Sequence, residues 1–290
     1  MGLHVPEYGV GLEIRIGIHS QSRHASRLYT NVITMRNIRA FAILFLLTSG
    51  HSLFAQKKDL NIIYIGDSIT QGVQLVDPGT EAPPATATAW LRKQKGIGKV
   101  GFSNQGVSGF TTVDFLPSTN TVFPGADKAA SALNREDAIL VFFIMLGTND
   151  SAITGPNGSP VSPEKYHDNL KTIIDRLLQH FPDSKFVIQK PIWYSPNTYN
   201  GSMYLQEGLS RLQSYFPQID RLVSEYKNAD PGHVFTTDTK AFDYFSKHYS
   251  TDLIPEQGHE GIFYLHPNSK GDVILGQFWG EAIYKILMKN

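Results

Sequence analysis

The chain has 290 residues, 41% of them hydrophobic and 18% charged, with 26 basic and 26 acidic side chains in balance and no cysteine. That length suits one catalytic domain rather than two. The scattered, balanced charge offers no basic face for nucleic acid, and the missing thiols exclude disulfides, thiol catalysis and cysteine-held metal.

At the amino end, Met35-Arg36-Asn37-Ile38-Arg39 precedes the apolar stretch 40–47, and Ser52-Leu53-Phe54-Ala55-Gln56 supplies a small residue where a signal peptidase cuts. The segment reads as a secretory signal that starts at Met35 and is cleaved near Ala55. It is too short to span a bilayer comfortably, so the expected address is periplasmic or secreted, without stable membrane insertion. A buried or amphipathic amino-terminal helix is the competing reading. Residues 1–55 are therefore set aside as leader and signal peptide, and 56–290 as a single domain.

Within that domain, apolar runs predict strands at 60–65, 100–104, 139–145 and 186–189, with a weaker one at 233–235. The third run has no polar alternation, as befits a central strand covered on both faces. Between them, Tyr166, Leu170, Ile173, Ile174, Leu177 and Leu178 recur at helical spacing, and Ser162-Pro163-Glu164 reads as a helix start, which predicts a helix over 162–181. Stretches 205–226 and 269–288 read the same way. Strands alternating with helices predict an α/β domain with a largely parallel sheet, and segments 74–84, 155–163 and 191–201 read as loops on one rim.

Four short blocks carry the chemistry. Gly66-Asp67-Ser68-Ile69-Thr70 places a serine directly after the first strand. Asn104-Gln105-Gly106-Val107-Ser108-Gly109 follows the second strand and Gly147-Thr148-Asn149-Asp150 the third. His266-Pro267-Asn268 lies near the carboxyl end. In an open parallel sheet the ligand crevice lies beyond the carboxyl ends of the strands, so the first three blocks should converge. Each also has a plainer reading: Ser68 as a helix cap, the glycines as turn residues, Asn149 as an Asx-turn residue and His266 as a structural histidine. Asp67 and Asp150 read as local scaffolding.

Together the ordered blocks resemble the SGNH (GDSL-type) hydrolases, over about residues 58–288. The resemblance implies a three-layer α/β/α sandwich of flavodoxin-like type. It also implies a serine-esterase site in which Ser68 attacks, His266 accepts its proton, and the Ser68 N–H, Gly106 N–H and Asn149 amide form the oxyanion hole. One departure stands out: the family's aspartate three residues before the histidine is Phe263 here. Glu260 or a backbone carbonyl of Phe263 or Tyr264 is the expected substitute orienter, with Glu256 and Asp252 behind, and a water or hydroxyl is the third alternative.

The stretch Glu81-Ala82-Pro83-Pro84 and the segment 261–268 look like the sialate O-acetylesterase and xylan-esterase branches. Trp193, Tyr194, Asn197, Tyr199 and Asn200 mix aromatic faces with amides suited to a sugar, or else simply pack a loop. The expected substrate is an acetylated carbohydrate, either sialic acid or plant glycan, with no cofactor and no metal site. A lysophospholipase- or arylesterase-type enzyme and a non-catalytic glycan-binding module are the two rivals.

Overall fold

The computed structural model describes residues 57–288, so the expected leader, signal peptide and cleavage site lie outside the described residues. In chain order the elements are β1 (Lys58–Gly66), α1 (Ser68–Gln71), α2 (Pro78–Glu81), α3 (Pro83–Leu91), β2 (Ile97–Gly106), α4 (Phe123–Leu133) and β3 (Ala138–Met145). They continue with α5 (Pro163–His180), β4 (Lys185–Ile188), α6 (Leu205–Ala229), β5 (Val234–Thr236), α7 (Lys240–Asp252), β6 (Leu253–Gly258), β7 (Gly261–Pro267) and α8 (Ser269–Met288).

The first five strands form one all-parallel sheet in the order β2-β1-β3-β4-β5, and β6 pairs antiparallel with β7 in a separate hairpin. Alternate side chains of the central strands feed two cores. Ile63 and Ile65 of β1 and Phe142 and Ile144 of β3 pack with α4, α5 and α6. Ile62 and Tyr64, with Val141 and Phe143, pack with α3, α7 and α8, where Tyr64 stacks on Trp279 at 5.8 Å. The sandwich therefore has the three expected layers. Because the sheet is buried on both faces, its strands are continuous apolar runs.

Two expectations are corrected. Segment 74–84 is not a plain loop: Asp77 accepts from the Gly79 N–H at 3.2 Å and starts α2, and Pro83 begins α3 at the first helical position, where a missing N–H costs nothing. The hairpin β6–β7 carries His266 and has no counterpart in the sequence reading.

Candidate active site

The sheet order reverses between β1 and β3, which makes the carboxyl ends of these neighbouring strands the crevice of the fold. Ser68 leaves β1 as the first residue of α1, where Asp67 caps the turn by accepting from the Ile69 N–H at 3.0 Å. Gly66 is required just below: a Cβ there would lie 2.0 Å from Thr70 Oγ1 and 2.8 Å from the Met145 carbonyl. Asn149 follows β3. His266 arrives from β7, braced behind by Asn268, whose Oδ1 accepts from the Gly271 N–H at 3.0 Å in the first turn of α8.

The structure brings the hydroxyl and the imidazole together: Ser68 Oγ lies 2.9 Å from His266 Nε2. On the other side of the ring, Nδ1 lies 2.8 Å from Glu256 Oε1, and the His266 backbone N–H also faces that oxygen at 3.3 Å. A carboxylate only accepts, so the network assigns the imidazole proton to Nδ1 and leaves Nε2 free to accept from serine. Gln74 Nε2 donates to Glu256 Oε2 at 2.8 Å; its 3.3 Å approach to Nδ1 is then a contact between two donors rather than a hydrogen bond. Burial pushes the Glu256 carboxyl up, but the hydrogen bond and charge of His266 and the Gln74 amide outweigh it and hold it below its ordinary value.

Glu260 is not the orienter. It lies in the exposed two-residue turn between β6 and β7, six residues of extended strand from His266, or roughly 20 Å at about 3.3 Å per residue. The carbonyl expectation fails as well, since the one Nδ1 proton is directed at Glu256 Oε1 at 2.8 Å rather than at the Phe263 or Tyr264 carbonyl, the latter accepting from the Ser195 N–H at 2.9 Å. Asp252 is engaged by Tyr244 at 2.6 Å and Lys270 at 2.5 Å. Glu256 is the cross-strand partner of Phe263, so the carboxylate reaches the histidine from the antiparallel neighbour of the position where the family resemblance would place it.

Gly106 also does not fit its expected part. Its N–H donates to Asn104 Oδ1 at 2.9 Å, while Asn104 Nδ2 donates to the Thr70 carbonyl at 2.8 Å, tying the end of β2 to α1. Gly106 is outside the cleft lining, whereas Gly109, three residues on, lies within it. Gly109 has a φ of 79°, and a Cβ there would meet nothing within 4 Å. Its N–H has no partner among the described residues. The signal was present in sequence, since Gly109 closes the same block as Gly106.

The Asn149 amide is held at both ends: Nδ2 donates to the Phe110 carbonyl at 2.9 Å and Oδ1 accepts from the Tyr204 hydroxyl at 2.7 Å. Below lie two buried carboxyls. Asp67 is pushed up to about 6 by burial, against the Ile69 N–H bond. Asp150 is pushed up to about 7 by burial despite bonds from the Thr112 hydroxyl and N–H. Asp150 thereby pins the 111–114 loop to the end of β3.

The cleft above Ser68 measures about 410 Å³ and is edged by Ser108, Gly109, Asp114, Asn157, Asn200 and Ser202 beside His266. Of the five rim residues marked in the sequence, Asn200 alone lines it. Tyr194 is fully buried, Trp193 packs on Tyr249 at 5.3 Å, Tyr199 on His259 at 4.5 Å, and Asn197 anchors the hairpin by donating to the Glu260 and Ile262 carbonyls. No cluster of three metal-ligating side chains occurs among the described residues.

A model of the GDSL-like lipase/acylhydrolase family matches residues 64–274. No curated protein sequence matches the chain. Among solved structures, a carbohydrate acetylesterase from Sinorhizobium meliloti is 17% identical, with a TM-score of 0.54 over 78% of this chain and 99% of that one. An aryl esterase from M. smegmatis is 15% identical, with a TM-score of 0.54 over 78% and 99%. A family 3 carbohydrate esterase from Clostridium thermocellum is 17% identical, with a TM-score of 0.52 over 80% and 98%. At these identities the likeness is one of fold.

Proposed function

The chain belongs to the GDSL-like lipase/acylhydrolase family, and from that premise we propose that it is a serine esterase that removes O-acetyl groups from carbohydrates through an acyl-enzyme intermediate. The observation that carries the reading is the relay from Ser68 Oγ through His266 to Glu256, with contacts of 2.9 and 2.8 Å. In this reading His266 Nε2 takes the hydroxyl proton as Ser68 Oγ bonds to the acetyl carbon, and the carbonyl oxygen becomes an oxyanion. In the same reading the Ser68 N–H, the Gly109 N–H and the second Nδ2 hydrogen of Asn149 are the donors that receive it. Collapse breaks the ester bond, and His266 returns the proton to the departing sugar alcohol. Water, deprotonated by the same nitrogen, then attacks the acetyl-serine, releasing acetate and restoring the hydroxyl.

The cleft supports a sugar as the alcohol. Ser108, Asn157, Asn200 and Ser202 offer hydroxyls and amides to a polyol, while its apolar lining is confined to Phe110, Pro156 and Leu265. That is too little to cover a long acyl chain, at about 0.8 kcal/mol for each CH₂ that must be buried. No Lys or Arg lines it, and Asp114 does. The charge therefore favours neutral acetylated glycans over sialic acid, whose carboxylate would meet like charge without a counterion.

An arylesterase- or lysophospholipase-type activity is the rival, and the aryl esterase fold neighbour keeps it in view. Acetyl against octanoyl nitrophenyl esters separates them, since a glycan deacetylase turns over the acetyl ester faster. The decisive test is acetate release from acetylated xylo-oligosaccharides and O-acetyl sialosides by wild type and Ser68→Ala. Release by wild type alone, greater on the neutral glycan, is the expected result; equal release by both proteins refutes the mechanism. Failure of a fluorophosphonate to label Ser68 would instead leave a non-catalytic glycan-binding module. Export through the signal at 35–55 is part of the proposal, checked by whether the exported protein begins at Gln56.

A further inference from the structure

The Asn149 side chain can be read atom by atom. The Phe110 carbonyl has no hydrogen to give, so the Asn149 atom 2.9 Å from it is Nδ2, and the atom facing Tyr204 is therefore Oδ1. The 2.7 Å bond between them is donated by the Tyr204 hydroxyl, which has one hydrogen and spends it there. Burial, reinforced by the charge of Asp67, holds that phenol well above its ordinary value and so protonated. Both side chains are nearly inaccessible, at 4% and 3%. One Nδ2 hydrogen is taken by Phe110 and the second is left for the cleft, which both residues line.

We propose that Tyr204 is a positioning residue of the oxyanion hole: its hydroxyl fixes the plane of the Asn149 amide and polarises it, so that the free Nδ2 hydrogen is aimed at the developing oxyanion. A donor pulling on the amide oxygen makes the amide N–H groups better donors in turn, and removes the rotation that would swap Nδ2 for Oδ1. The chain goes to some expense to hold this phenol. The Tyr204 and Leu205 N–H groups both donate to the Thr198 carbonyl, at 3.2 and 3.1 Å. Leu205 sits in the left-handed region at φ 54°, a strained entry into α6. The Tyr204 ring also packs edge-on against Tyr194 at 5.5 Å, and Tyr194 is itself bonded to Ser151 at 2.9 Å.

The inference rests on Asn149 acting as an oxyanion donor, and a double-mutant cycle separates the two ideas. With p-nitrophenyl acetate as probe, Asn149→Ala should lose about 10²- to 10³-fold in kcat. Tyr204→Phe, which keeps the ring and its Tyr194 contact, should lose about tenfold in kcat with KM held within about twofold. In the Asn149→Ala background, Tyr204→Phe should cost nothing further. Phenylboronic acid, a tetrahedral-intermediate mimic, should bind Tyr204→Phe about tenfold more weakly than wild type, a reading independent of turnover.

A Tyr204→Phe enzyme with wild-type kcat and boronate affinity would overturn the proposal, as would the same fractional loss in both backgrounds. Wild-type kinetics in Asn149→Ala would remove the donor reading and this one with it.

Discussion

A methyl group added at Gly106 would sit 2.3 Å from the Gln71 nitrogen and 2.7 Å from the Thr70 carbonyl carbon, whereas one at Gly109 would meet nothing. The two glycines of one short block therefore answer to different constraints, one to packing and one to the cleft. Gly106→Ala should lose about 1–3 kcal/mol of stability through a clash with backbone that cannot swing aside. Gly109→Ala should fold, at a cost of about 1–2 kcal/mol for placing a Cβ in the left-handed region, and lose at least about tenfold in kcat as the methyl crowds the donor. Thermal melts and turnover of the two variants, side by side, check the division. The same contrast holds for the acids. Glu256→Gln should lower kcat by about 10² to 10⁴, the scale seen when a catalytic histidine loses its carboxylate. Exposed Glu260→Gln should stay within about twofold, as surface substitutions do. A slow Glu260 variant beside a normal Glu256 variant would reverse the assignment.

Among the elements, the hairpin decides whether the base meets its acid, and it is also the element least visible in the sequence. The sheet strands announce themselves because a strand covered on both faces must be apolar throughout; the run from Ile139 to Met145 could hardly be anything else. By contrast β6 reads Leu-Ile-Pro-Glu-Gln-Gly, with a proline and two polar residues, and its pairing with β7 rests on the two-residue turn between Gly258 and Gly261. Counting back along one strand from His266 finds Phe263 and then Glu260. Antiparallel pairing places Glu256 beside Phe263, a neighbour that linear spacing does not reveal. Loop 191–201 braces this hairpin: the Ser195 hydroxyl accepts from the Tyr264 N–H at 2.8 Å, and the His259 N–H donates to the Tyr199 carbonyl at 2.8 Å. Gly258 is where the two touch, since a Cβ there would come 2.4 Å from that carbonyl. Gly258→Ala should push β6 off the loop, costing about 1–3 kcal/mol and moving Glu256 with it. A lowered melting temperature with kcat reduced and Ser68 still present in the sequence is the expected pair of readings; unchanged turnover would show that the hairpin tip and the relay are mechanically separate.

At the scale of the molecule, sheet order and buried charge together set where the protein works and at what pH it holds. Three of the four blocks were placed in one cleft by strand order alone, because a parallel sheet puts all its carboxyl ends on one side. What spacing could not give was the depth at which the acids lie. Asp272, in the first turn of α8, is pushed up to about 8 by burial, with the nearby charge of Glu81 adding to it, and its Oδ1 has no hydrogen-bond partner. With Asp67 at about 6 and Asp150 at about 7, the folded chain keeps protons that the unfolded chain releases near pH 4. The sign follows: the contribution of these groups is fully present below about pH 4 and is lost as pH rises through about 6 to 8. Glu256, held below its ordinary value, acts in the opposite direction and contributes stability that is lost on acidification. Asp272→Asn isolates the largest of the raised acids without touching the cleft, since an amide matches the neutral carboxyl in shape and cannot ionise. Its melting temperature should equal that of wild type near pH 4 and exceed it by about 10 °C or more at pH 8.5, since a carboxyl raised from about 4 to about 8 loses on the order of 5 kcal/mol across that range, at about 2–4 °C per kcal/mol for a chain of this size. Parallel curves for the two proteins from pH 5 to 8.5 would mean that Asp272 is ionised in the folded state throughout, and that an unseen partner compensates its charge.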